Sequence, residues 1–117
     1  MSAETKGPIL SKEDPTKEQI ANWKKEHNCE TIHVIKIKDE KDKNAIKKAF
    51  LRTPTIDDLS RASASEKAKA GTWSKSLFEN CVLQMHPDVR GKILLYNAAV
   101  RMSGEIEASA SAELEQL

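Results

Sequence analysis

Three histidines and two cysteines are the residues of this chain with the ligand chemistry of a transition-metal site. His27, Cys29 and His33 lie close together, and Cys81 lies near His86. Structural zinc sites draw donors from C-x2-C and H-x3-H pairs, because such short spacings bring two ligands to one tetrahedral centre. Neither set has that spacing, so a Cys2His2 site would have to be assembled across the fold. Cys81 sits between Phe78 and Val82 and reads as a core thiol, and His33 reads as a strand-face residue. Asp57 and Asp58 are paired carboxylates of the kind that does acid–base work, but a place in the first turn of a helix already accounts for both. No G-x-S-x-G, P-loop, G-x-G-x-x-G or HExxH pattern occurs, and the serines lie in Ala-rich polar segments with no base nearby. The expectation is no catalytic residue, no bound metal and no cofactor.

The lysines make the other candidate. Lys36, Lys38, Lys41, Lys43, Lys47 and Lys48 form the one basic concentration, diluted by Asp39, Glu40 and Asp42. A solvated hairpin tip is the expectation there. With 19 basic and 18 acidic residues the net charge is +1. That balance argues against an electrostatic nucleic-acid binder, which needs a basic stripe to displace counterions. No run approaches the roughly 18 apolar residues of a membrane span. Met1 to Leu10 lack the apolar stretch of a signal peptide, so both cysteines read as reduced and cytoplasmic.

The elements that hold these residues organise around Phe50 to Val82. Thr31 to Lys38 is rich in β-branched residues and predicts a strand, although Ile32 and Val34 fall on one parity and Ile35 and Ile37 on the other. Asp39 to Asn44 is a polar turn, and Ala45 to Arg52 returns as a second strand. A two-stranded hairpin is marginal alone, so helices must cover it. Thr53-Pro54 stops the strand, and Thr55 with Asp58 three residues on predicts a capping box opening a helix, with Ile56, Leu59 and Ala62 as its buried stripe. Beyond Ala62 only alanines are apolar, which predicts a frayed half or a loop. Gly71-Thr72 then precedes a helix carrying Trp73, Leu77, Phe78, Cys81 and Val82 on one face. His86-Pro87 stops it.

Outside that stretch, residues 1–13 predict a flexible polar tail and 14–117 a single domain. Asp14-Pro15-Thr16, with Gln19 after it, predicts the start of a first helix that ends at Asn28. From Pro87 or Asp88 a last helix carries Leu95, Ala99, Met102, Ile106, Ala110, Leu114 and Leu117 in steps of three or four. Gly104 either interrupts the helix only at a cost of about 1 kcal/mol relative to alanine or makes a hinge or a stop, and 104–117 is compatible with a loosely attached helical extension. The fold class is α+β: one antiparallel hairpin packed with about four helices, the C-terminal half mostly helical. Aromatics are only 4% of the chain, which leaves aliphatic and alanine positions to fill the core. No internal repeat is present.

The order of a strand pair, an Arg-x-Pro-Thr-x-x-Asp-Leu-x-x-Ala helix start and a Leu-x-x-x-Cys-Val helix resembles the small tail assembly chaperones of long-tailed bacteriophages and prophages. Arg52, Pro54, Thr55, Asp58, Leu59, Ala62, Leu77, Cys81 and Val82 carry the likeness, over residues 31–83. The resemblance implies a non-enzymatic protein of the host-cell cytoplasm that binds the long tape measure protein and helps recruit tail tube subunits. The chain departs from the family in its extra N-terminal helix and in an apolar stripe that runs to the last residue. Apolar anchors at helical spacing suit a partner helix, so the expected partner-binding residues are Ile106, Ala110, Leu114 and Leu117, while Leu95 to Met102 is expected in the core. A homo-oligomer is compatible with the same stripe. A different class also fits a chain of this size: a small nucleic-acid-associated or regulatory protein of a mobile element, whose binding would weaken steeply with salt.

Overall fold

The computed structural model describes residues 7–109, an α+β fold with five helices and a four-stranded mixed sheet. The strands are β1 (Ile9–Leu10), β2 (Ile32–Asp39), β3 (Ala45–Arg52) and β4 (Val82–Met85). The helices are α1 (Lys17–Glu26), α2 (Ile56–Ala68), α3 (Trp73–Cys81), α4 (Pro87–Gly91) and α5 (Ile93–Ser109). The sheet runs in the order β1-β4-β3-β2, with β2–β3 and β3–β4 antiparallel and β1–β4 parallel.

The expected hairpin forms in the register Ile35 to Ala49 and Lys36 to Lys48. Asp39 accepts the Lys41 amide, and Lys43 and Asn44 take left-handed backbone to turn the chain. The sheet is wider than a hairpin because Val82 to Met85, expected to begin as helix, leaves α3 as β4. Parity signals are weak over the four residues Val82, Leu83, Gln84 and Met85, and β3 already supplies the open edge that makes extended backbone favourable there. A register shift between Phe50 and Leu51 lets β4 skip Leu83. Ile9–Leu10 lies inside the expected flexible tail, yet it pairs with Gln84 and Met85 as the fourth strand. The Gln84 side chain donates to the Glu13 carbonyl at 2.9 Å and Lys48 pairs with Asp14 at 3.0 Å, which ties the following residues down as well.

One face of the sheet meets α3, α4 and α5. Ile35, Ile37, Ala49, Leu51, Val82 and Met85 pack there on Phe78, Cys81, Val89, Leu95 and Ala99. Phe50 faces the other way and is covered by Trp23 of α1, with ring centroids 6.5 Å apart. The apolar residues of β2 and β3 thus serve two layers, which explains their imperfect alternation. α1 starts on its Thr16 cap, and Asn28 stops it at φ 50°.

α2 carries the predicted capping box in full, Thr55 accepting from the Asp58 amide and Asp58 from the Thr55 amide. Its stripe differs from the expectation: Ala62 is buried, but Ile56 is 80% exposed. The helix continues to Ala68 because Glu66 is needed there. Its carboxylate accepts the amides of Gly71, Thr72 and Trp73 at 2.9–3.0 Å and so caps the start of α3. Trp73, expected in the core, is half-buried beside that turn.

The single last helix divides in two, with α4 ending at Lys92 in extended backbone before α5 begins. Leu95, Ala99 and Ser103 form the buried face of α5, and Met102, expected in the core, is 45% exposed. Of the alternatives at Gly104, the continuous helix is the one that forms. α5 passes straight through it, and a Cβ there would lie 2.7 Å from Ser74 Oγ on α3, so the absent side chain lets the two helices approach.

Candidate functional site

Arg52 closes β3 and Asp58 opens α2, and the Thr53-Pro54 turn brings them face to face. Arg52 donates to Asp58 at 2.5 and 3.1 Å and to the Asn80 carbonyl at 2.7 Å. Asp58 is 1% exposed. Burial alone would raise its carboxyl, but the Arg52 guanidinium and the Thr55 amide and hydroxyl outweigh it and hold Asp58 at about 2. The carboxylate is held by Arg52 and Thr55 in a structural pair that joins the end of β3 to the start of α2. Cys81 Sγ lies 3.7 Å from the same carboxylate, and burial pushes its thiol up to about 12. A thiol held protonated in the core is inert as a nucleophile and as a ligand.

The lysine-rich hairpin tip is not simply solvated. Lys47 is 2% exposed, and its ammonium sits 2.7, 2.8 and 2.7 Å from Asp39, Asp42 and Asp88. Lys92 adds a second contact to Asp39 at 3.0 Å. The hydrogen bonds from Lys47 and then Lys92 hold the Asp39 carboxyl at about 2, and the same carboxylates raise Lys47. Asp39, Asp42 and Asp88 are close enough to share a cation, and the Lys47 ammonium already lies against all three. Sequence reading missed this site because the pairing needs α4, forty-one residues away, to deliver Asp88.

Two of the three histidines are likewise engaged. His33 Nε2 bonds the Thr53 hydroxyl at 3.1 Å, and His86 Nδ1 accepts the Asp88 amide at 3.0 Å as the cap of α4. Burial lowers the pKa of both rings. Among the described residues, neither His27, Cys29 and His33 nor Cys81 and His86 gather into a ligand set.

A mostly apolar crevice lies between the edge strand β2 and α5. At one end, Ile37, Lys38 and Lys41 face Ile93, Leu94 and Ala98 across a groove of about 370 Å³. At the other, Ile35 faces Met102 and Ile106 across about 330 Å³, with Val34 at the rim on the strand's outer side. Ile93 and Leu94 are 68% and 67% exposed, and Val34 and Met102 are also exposed. Exposed apolar residues grouped beside a groove suit the docking of a partner or a ligand. Of the expected partner-binding residues, Ile106 is partly buried against the core, and Ala110, Leu114 and Leu117 lie outside the described residues. Ile93 and Leu94 were missed because they fall off the stripe that starts at Leu95; three consecutive apolar residues at a helix start, one facing in and two facing out, were the available signal. No described helix is long and apolar enough to cross a membrane. Comparison with protein-family models, with curated proteins and with solved structures finds no match.

Proposed function

We propose that this chain is a non-enzymatic protein-binding factor, a tail assembly chaperone that holds the tape measure protein during tail morphogenesis in the host cytoplasm. The observation that carries the reading is the exposed apolar strip along α5: Ile93, Leu94 and Met102 beside two grooves that separate the helix from β2. A monomer would be expected to bury such a strip, and a chaperone needs one to exchange for a client's apolar surface. The ionisable groups support the same view, because Asp58, Cys81, Lys47 and Asp39 are spent on one another and offer no reactive set. In this reading Ile106, Ala110, Leu114 and Leu117 are further partner-binding residues, and tail tube subunits are a second partner.

The test is stoichiometric suppression of tape measure aggregation. Wild-type protein should keep an equimolar tape measure protein in solution, and deletion of 110–117 should weaken that effect if the C-terminal residues take part. The nucleic-acid reading draws its support from Lys36, Lys38 and Lys48 on the outer face of the sheet. Binding to an oligonucleotide that falls steeply with salt, with no effect on tape measure solubility, would establish it instead.

A further inference from the structure

The sheet ends on β2, so one side of an eight-residue strand has no neighbouring strand among the described residues. Its exposed backbone can be assigned. The Lys48 carbonyl accepts the His86 amide at 2.9 Å on the β4 side. In an antiparallel ladder a residue points its N–H and C=O the same way, and successive residues alternate. Lys48 therefore turns its back on β2, and its pair mate Lys36 directs both backbone groups away from β3. Val34 and Lys38 share that parity. Their side chains stand on the outer face of the sheet and are exposed, while Ile35 and Ile37 point into the core.

We propose that the open edge of β2 captures an extended protein segment as a fifth strand, and that this segment alternates apolar with acidic residues. The proposal rests on the protein-binding reading above and names how the client is held. Main-chain bonds to Val34, Lys36 and Lys38 supply the pairing, and alternate side chains supply the selection. On one face, every second side chain of the incoming strand enters the crevice beneath α5, between Ile37 and Leu94 at one end and between Ile35 and Met102 at the other. Apolar residues fit there. On the other face, the intervening side chains lie beside Lys36 and Lys38, which make no ion pair among the described residues. Carboxylates fit there. Glu40 and Glu105 bound the two ends of the crevice and confine the basic stretch to its middle. Edge lysines also guard against aggregation, but guarding does not require an apolar crevice alongside them.

The probes are two short capped peptides, one alternating Glu with Val and one alternating Lys with Val, added to the full chain. Amide exchange followed by NMR should show the Val34, Lys36 and Lys38 amides slowed by the Glu/Val peptide, roughly tenfold at about ten times its dissociation constant. The Lys/Val peptide should leave them unchanged. Lys36→Glu with Lys38→Glu should reverse the preference. Lys36→Pro removes an N–H that β3 does not use and should abolish the slowing; should that variant fail to fold, the charge-reversed variant decides alone. Equal slowing by both peptides, or by neither, overturns the proposal. So does protection by an oligonucleotide, or protection that appears with self-association of the free protein. The charge-reversed variant also separates this proposal from the chaperone reading. If wild type and variant suppress tape measure aggregation equally, strand capture is wrong and the chaperone reading stands. If wild type fails to suppress it, the chaperone reading falls and the peptide result still decides the edge.

Discussion

Asp58→Asn should be among the most damaging single substitutions in the chain, although it keeps the shape of the side chain. The carboxylate is 1% exposed and receives two hydrogen bonds from Arg52 as well as the Thr55 amide at 2.7 Å and hydroxyl at 2.9 Å. An amide can still accept the Thr55 N–H, but one of its two positions becomes a donor and faces the Arg52 guanidinium. Arg52, whose side chain is 14% exposed, then loses one of its two bonds to residue 58 and keeps the Asn80 and Thr53 carbonyls, with no carboxylate left to balance its charge. Breaking a buried pair from one side costs about 3–5 kcal/mol, a large share of the roughly 5–15 kcal/mol that holds a domain together. Arg52→Leu together with Asp58→Asn removes the stranded charge, so the double variant should cost clearly less than the two single losses summed. Urea unfolding followed by the fluorescence of the buried Trp23 reads each difference from the midpoint. The pair also has a pH signature. Asp58 is held at about 2 against its ordinary 3.8, so its ionised form stabilises the fold fully above about pH 3.8 and that contribution is lost as pH falls toward 2. Asp58→Asn should lose part of that acid sensitivity. A single variant within about 0.5 kcal/mol of wild type, the range of surface changes, or additive losses in the double variant, would refute the reasoning.

Phe78→Ala should cost about 3–5 kcal/mol, because Phe78 is fully buried and meets Tyr96 edge-on at 5.6 Å. Cys81 should react with a thiol reagent at pH 8 only as fast as the fold opens, and well after half-buried Cys29; prompt labelling of Cys81 in peptide mapping would contradict its burial and its pKa of about 12. In a Ser74→Ala background, Gly104→Ala should gain about 1 kcal/mol, the helix cost of glycine, since the atom that a Cβ meets at 2.7 Å is then gone. Truncation after Ser103 should lower the midpoint of thermal unfolding, because it removes Ile106, which packs against the core, and Gly104 from beside Ser74.

Local signals in the sequence carried well where a single element decides the outcome. The Thr55–Asp58 capping box, the Thr16 cap and the β2–β3 hairpin depend on residues a few positions apart, and each forms as expected. Where a distant element decides, the reading failed for identifiable reasons. Val82 to Met85 becomes a strand because β3 offers it an edge, and Ile9–Leu10 becomes one because β4 then does the same. Lys47 looks like one lysine among six until Asp88 reaches it from α4. Met102 has the right spacing for the stripe of α5, yet Ser103 takes the buried position because the helix turns its small residues toward α3. The crevice beside β2 was invisible for the same reason, since it exists only once α5 lies along the sheet.

The most direct test of the docking surface is aggregation of the tape measure protein in the presence of Leu94→Glu with Met102→Glu. Both side chains are exposed, so the variant should match wild type in unfolding midpoint. Wild-type protein at equimolar ratio should hold the tape measure protein in solution, and the double variant should let it precipitate as if no chaperone were added. Undiminished protection by a folded double variant would contradict the assignment of this surface.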